Sequence, residues 1–341
     1  MPSAPEPIAL PPRSVLVTGV SGFVGLKLAK RLLAQDCKVA GICRKPRPDL
    51  EKCRIEMIYA DLADASAIRA ACQGRDTVFH VAAKVGIWGK LTDFQAANVE
   101  GTQAIINGCR DFEVKKLVYT STPSVVFNGR SIAGQDESLP YGENIPCPYP
   151  TTKVIAEKAV LAAHDLPPGH LKTVALRPHL IWGNDDTNLV PRVVERARAG
   201  KLRIVGDGDN RVDLTHVDNV VDAHLLAEAA LDRTEHNPGG KAYFISNGEP
   251  VKLWEWINEL LESHDIPRVH RRISLPNARR IGAVMETLWK LLRLHGEPPM
   301  TRFVASELAK DHWFDISAAQ RDLGYRPRIN MAEGMARLLS K

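Results

Sequence analysis

The stretch SVLVTGVSGFVG (14–25) narrows the fold of this 341-residue chain more than any other. Ser14 to Thr18 is a short apolar run, glycines follow at 19, 22 and 25, and FVGLKLAKRLL then carries apolar residues at helical spacing. In such a strand–turn–helix unit, Gly19 permits the tight turn and Gly22 lets backbone approach a pyrophosphate. Gly25 lets the helix lie against the strand. The helix opens with unpaired N–H groups and the positive end of its dipole, which suits an anion. A glycine turn that serves packing alone is the plainer reading; the strand before it and the helix after it favour a dinucleotide site. Gly19, Ser21, Gly22, Phe23, Val24 and Gly25 are therefore candidate cofactor-binding residues.

The turn opens a longer alternation. Apolar runs recur at VAGIC (39–43), IEMIYA (55–60), DTVFHVAA (76–83), KKLVYTST (116–122), KTVALRP (172–178) and KAYFISN (241–247), with helical patterns in most of the gaps. Strands alternating with helices predict an α/β fold, a Rossmann-type doubly wound parallel sheet. After Pro178 the alternation weakens, which predicts a smaller, interleaved C-terminal substrate lobe. The expected boundaries are a flexible proline-rich arm at 1–12 and a nucleotide-binding domain at 13–180, completed by about 216–247. Residues 181–215 and 248–341 form the expected substrate lobe.

Composition excludes some functions. Hydrophobic content of 44% and charged content of 25% fit a soluble globular protein. The six cysteines form no C-x-x-C pair and no zinc-like spacing with histidine, so no metal is expected, and reduced thiols in a cytoplasmic setting are. MPSAPEPIALPPR has neither the basic nor the apolar region of a secretory signal, and no run of eighteen uncharged apolar residues exists. The net charge of +5 is concentrated at 266–296, where seven cations face Glu286 alone. The rest is near neutral, so no nucleic-acid partner is expected.

The end of the second strand decides which dinucleotide fits. A site for NAD places a carboxylate there to accept the ribose hydroxyls. Here the strand runs into Arg44, Lys45, Pro46 and Arg47, with no carboxylate before Asp49. Cations without an acceptor suit a 2′-phosphate, so NADP(H) is favoured over NAD(H), with a solvated basic loop as the alternative. Asp61 and Leu62 follow the third strand and are candidates for the adenine end, though Asp61 also suits a turn.

YPTTK (149–153) puts a phenol and an ammonium one helical turn apart, just after PCPYP (146–150). Pro150 suits a first helical turn, and TTKVIAEKAVLAAH continues at helical spacing. The pair reads either as a proton donor with its electrostatic tuner, or as an aromatic at a helix start beside a lysine paired with Glu157 in solvent.

In order and spacing, TGVSGFVG, DLAD (61–64), HVAA (80–83), NVEGT (98–102), YTST (119–122), YPTTK, ALRPHLIWG (175–183), HVDNVVDAH (216–224) and DISAAQRDLGYRP (315–327) resemble the extended short-chain dehydrogenase/reductases. The likeness spans about residues 13–330 and is strongest to the 3β-hydroxysteroid dehydrogenase-like branch. Within it, AAKVGIWG (82–89), YTSTPSVVF (119–127) and ALRPHLIWG look most like the bacterial reductases of 2-alkyl-3-oxoalkanoates in long-chain olefin synthesis. The resemblance implies that Tyr149 and Lys153 are catalytic, that the cation lowers the phenol's pKa, and that Thr122 holds the substrate oxygen, with Ser124 a lesser candidate. It implies cofactor contacts from Val81, Ala82, Ala83, Lys84, Thr120, Ser121, Tyr149, Lys153, Pro178, His179 and Leu180. It leaves His179 open between a nicotinamide neighbour and a packing residue, and gives Asn98, Arg177 and Asp218 structural roles. The expected reaction is NADPH-dependent reduction of a 2-alkyl-3-oxoalkanoic acid with long acyl chains, by a homodimer that assembles with other olefin-pathway enzymes. The alternatives are a 3β-hydroxysteroid or sterol-4-carboxylate 3-dehydrogenase, a sugar-nucleotide epimerase, and a non-catalytic NAD(P)-binding protein.

ARRIGAVMETLWKLLRLHG (278–296) predicts a basic amphipathic helix with Ile281, Val284, Met285, Leu288, Trp289 and Leu292 on one face. Three uses are open: a face buried in the core, the wall or lid of a greasy pocket, or a peripheral contact with an anionic membrane.

Overall fold

The computed structural model describes residues 13–167 and 170–339; the expected arm at 1–12 lies outside the described residues. Seven parallel strands make the central sheet: β1 (Ser14–Thr18), β2 (Lys38–Cys43), β3 (Glu56–Tyr59), β4 (Thr77–His80), β5 (Lys116–Thr120), β6 (Lys172–Pro178) and β7 (Lys241–Ile245). Each falls within an apolar run read from the sequence, except that β2 begins one residue earlier, at Lys38. Their spatial order is β7-β6-β5-β4-β1-β2-β3, so the chain reverses direction across the sheet between β1 and β4. A ligand binds such a sheet at that reversal, outside the carboxyl ends of the strands.

The strands are apolar almost throughout because both faces are covered. On one face α1 (Phe23–Leu33) and α5 (Val217–Ala230) bury Leu28, Ala29, Leu32, Val221, Ala223 and Ala227. On the other, α2 (Gly101–Asp111) and α3 (Pro148–Ala162) bury Ala104, Ile105, Cys109, Ala156 and Val160.

A separate core lies beyond the strand ends, where Trp182, Trp254, Trp256, Ile257, Leu260 and Leu261 pack together. It gathers α4 (Leu189–Arg198), α6 (Leu253–Glu262) and α7 (Leu275–Leu291). Beside it a small sheet joins distant parts of the chain, in the order 251–252, 211–212, 312–314, 132–135. The strand at 132–135 leaves the first half to pair with 312–314.

The helix expected at 278–296 forms as α7, which starts three residues earlier and ends at Leu291, and its apolar face is not where a core helix needs it. Ala278, Gly282 and Glu286 are buried, whereas Ile281, Val284, Leu288 and Leu292 are exposed. The core reading therefore fails for these four residues. The six cysteines are all free, and among the described residues no helix is long and apolar enough to cross a membrane.

Candidate active site

A cleft of about 1220 Å³ opens over the carboxyl ends of the strands. Its floor is the glycine turn. Gly19 has φ of +68°, a left-handed backbone that suits glycine, and a Cβ on Gly25 would stand 2.2 Å from the Gly19 carbonyl oxygen. α1 can therefore sit on β1 only with glycine at 25. The helix begins after Gly22 with no side-chain cap and no acidic residue in its first turn, so its opening N–H groups and dipole face the cleft unopposed. Thr18 ties this floor to the next wall: its Oγ1 accepts the Ala82 N–H at 2.9 Å and meets His80 Nδ1 at 2.8 Å.

Tyr149 lies in the first turn of α3 and Lys153 one turn later; both line the cleft. Lys153 is buried and its Nζ donates to the Thr120 carbonyl at 2.6 Å, over the ring of Tyr119. The solvent pairing with Glu157 does not occur. Glu157 is itself buried and takes the Arg177 guanidinium at 2.6 Å and the Tyr141 hydroxyl at 2.8 Å. Desolvation lowers the Lys153 pKa to about 7, opposed by Glu157. Desolvation also raises the Tyr149 pKa to about 12, opposed by a hydrogen bond with Thr122. In the chain's own surroundings desolvation therefore dominates, and the lowering of the phenol pKa expected from Lys153 does not prevail.

Thr122 follows β5, and its Oγ1 lies 2.9 Å from the Ser124 hydroxyl. The neighbouring Ser121 lines the same cleft with a buried hydroxyl that has no partner. Asn98 touches no part of the cleft. Its side chain accepts the Lys84 N–H at 2.7 Å and donates to the Lys84 carbonyl and to Thr152, both at 3.0 Å, which fixes Lys84 at the wall.

Nearly every cofactor candidate lines this one cleft: Gly19, Ser21 to Gly25, Arg44, Asp61, Leu62, Val81 to Lys84, Thr120, Ser121, Pro178 and Leu180. Asp61 also serves the turn, where its Oδ1 accepts the Ala63 N–H at 3.0 Å. Lys45 and His179 are not among the lining residues. Lys45 is exposed. Arg47 is held by both oxygens of Asp49 at 2.8 and 2.7 Å and its Nη1 donates to the Ser21 carbonyl at 3.5 Å, at the edge of the glycine turn; of the three cations Arg44 lines the cleft itself. His179 turns into a small neighbouring cavity, where its Nε2 lies 3.2 Å from His312 Nδ1. The His312 Nε2 donates to the Glu307 carbonyl at 2.6 Å. Burial keeps His179 neutral, and its side chain is a packing residue.

The far end of the cleft escaped the sequence reading. Val85, Trp88 and Phe94 supply one wall and Ile181, Leu189 and Arg192 the other. Glu297 joins the two walls: one oxygen accepts the Ile87 N–H at 3.0 Å and the other pairs with Arg192. AAKVGIWG and ALRPHLIWG, which hold Val85, Trp88 and Ile181, were the signals for this end. No residue of 275–294 lines the cleft, so the reading of α7 as pocket wall is also corrected.

Comparison with known proteins places this arrangement. The family model described as 3-beta hydroxysteroid dehydrogenase/isomerase matches residues 16–277. A 2-alkyl-3-oxoalkanoate reductase of Stenotrophomonas maltophilia is 48% identical over 95% of this chain and 98% of its own length. A protein of the same name from Shewanella oneidensis is 44% identical, over 94% and 84%. Among solved structures, MoeE5 in complex with UDP-glucose and NAD is 25% identical, with a TM-score of 0.72 over 96% of this chain and 97% of that one.

Proposed function

The chain belongs to the 3-beta hydroxysteroid dehydrogenase/isomerase family, and from that premise we propose that it reduces the ketone of a 2-alkyl-3-oxoalkanoic acid with NADPH. One observation carries the reading: Tyr149 and Thr122 line one cleft whose far end is apolar and terminates in a cation, Arg192. An acid with long acyl chains needs that combination. The cofactor side fits a dinucleotide, since a Cβ would fill the glycine cradle and the Ser121 hydroxyl is buried without a partner. Gly19 to Gly25 would hold the pyrophosphate, Arg44 the 2′-phosphate, and Lys153 the nicotinamide ribose.

NADPH, when bound, supplies the hydride to the ketone carbon. The chain's own residues do the rest. Tyr149, protonated across the neutral range, gives its phenolic proton to the ketone oxygen as negative charge develops there. The Thr122 hydroxyl donates a hydrogen bond to the same oxygen and orients it. Arg192 pairs with the substrate carboxylate in place of Glu297. The wall of Val85, Trp88, Phe94 and Leu189 takes the acyl chains and keeps water from the reacting carbon.

The similarity to the two bacterial reductases supports this substrate class, and an olefin-forming pathway would set the enzyme beside ligase-like and hydrolase-like partners. Turnover of purified protein with NADPH and NADH, against long-chain 2-alkyl-3-oxo acids and 3β-hydroxysteroids, tests it. Reduction of the oxo acid with NADPH as the better donor is expected. Oxidation of the steroids alone, or no turnover of the oxo acid, overturns it.

A further inference from the structure

Eleven large apolar side chains are exposed among the described residues, and six of them, Ile281, Val284, Leu288, Leu291, Leu292 and Leu294, belong to α7 and the residues just after it. Ile281, Val284, Leu288 and Leu291 recur at i, i+3, i+7 and i+10, a single stripe along the helix. Packing fixes that stripe outward. A Cβ on Gly282 would stand 2.7 Å from the backbone of Thr301 and Arg302, so this side of the helix is pressed against the protein. Glu286, the one carboxylate within 266–296, is turned inward and accepts the Arg302 N–H at 2.7 Å and its Nε at 2.8 Å. Arg279, Arg280, Lys290 and Arg293 stay exposed around the stripe.

The surface continues to the mouth of the cleft. Val85 and Leu91 are two more of the eleven, and Val85 also lines the cleft. The loop that carries them meets the end of α7 where Lys290 stands 5.9 Å from the Trp88 ring and Ile87 donates to Glu297.

We propose that this face docks the protein on an anionic lipid bilayer, with α7 in the headgroup layer and the cleft mouth at Val85 brought to the membrane. An apolar stripe bordered by cations, with its single carboxylate withdrawn, matches such a surface in both polarity and sign. A second copy of the chain matches it less well, since a twofold contact through this face sets like charges against each other. The purpose rests on the reading above: an acid with two long chains partitions into a bilayer and enters the cleft from there.

Co-sedimentation of the full chain with vesicles tests the surface without any substrate. Binding to phosphatidylcholine vesicles that contain phosphatidylglycerol is expected to exceed binding to phosphatidylcholine alone by about tenfold, and to fall in high salt. The double variant Leu288→Asp, Leu291→Asp is expected to lose about tenfold or more of that binding. It should still reduce a short, water-soluble 3-oxo acid at the wild-type rate, which shows that it folds. Equal binding to both vesicle types, or wild-type binding by the variant, overturns the proposal. So does a concentration-dependent dimer that the variant abolishes, which would assign the face to a second copy. Because lipid binding and turnover are read separately, failure here leaves the ketone-reductase reading intact, and the reverse holds.

Discussion

At Tyr149 and Lys153, burial acts on two groups of opposite charge type and keeps the proton on one while loosening it on the other. Removing the phenolic hydroxyl should leave the cofactor site intact and remove the proton donor. Tyr149→Phe is expected to keep NADPH affinity and lose on the order of 10²-fold or more in kcat; turnover within a few-fold of wild type would remove Tyr149 from the mechanism. Lys153 makes a stability prediction with a definite sign. Its pKa falls from about 10.4 in an unfolded chain to about 7 in the fold. Between those values the unfolded state binds the extra proton, so this contribution to stability rises with pH and its penalty is complete below about pH 7. Lys153→Met should thus melt relatively higher than wild type at pH 6, with the difference shrinking toward pH 10, while turnover is lost. A melting difference that does not change with pH would place the ammonium in a solvated site. Arg192 belongs to the same scale. Arg192→Ala should lower kcat/KM for the oxo acid by about tenfold or more, the worth of a charge-assisted hydrogen bond, and spare its methyl ester. Equal losses on acid and ester would remove the carboxylate pairing.

At the scale of elements, the unit from β1 through the glycine turn to α1 behaves as one part, because the helix and the turn occupy space that any side chain at 25 would claim. The strand end at β2 is different. There the sequence offered three cations within four residues, and of these Arg44 lines the cleft. Arg44→Glu should weaken NADPH by about tenfold to a hundredfold and NADH little, since only the 2′-phosphate loses a counter-charge. Lys45→Glu, on a side chain outside the cleft, should change the ratio by less than about threefold. Equilibrium binding of the two cofactors checks both; a larger effect at Lys45 would reverse the assignment.

At the scale of the whole molecule, α3 is locked to β6 by the buried ion pair of Glu157 with Arg177, and this holds the helix of Tyr149 and Lys153 on the sheet. Replacing one partner strands the other. Arg177→Met is expected to cost about 3–5 kcal/mol in denaturant unfolding, far more than a surface pair. A loss under about 1 kcal/mol would mean that Glu157 finds another partner or a proton. This pair also shows how far the sequence alone reaches. The strand–turn–helix unit, the seven apolar strands, and Tyr149 with Lys153 on one helical turn were all legible, because each is a demand that adjacent residues place on one another: period, glycine spacing, a turn of helix. Whatever depends on neighbours distant in the chain was not. Glu157 looked like the solvent partner of Lys153 until Arg177 and Tyr141 came to it from elsewhere. Arg44 and Lys45 are equivalent in the sequence, and His179 sits between two residues that line the cleft while its own ring turns to His312. The stripe on α7 was visible from its spacing, yet which side is buried was decided by Gly282 against Thr301 and by Glu286 reaching Arg302. Local periodicity sets which side chains share a face; only the packing of remote segments, which excludes atoms and pairs charges, sets where that face points.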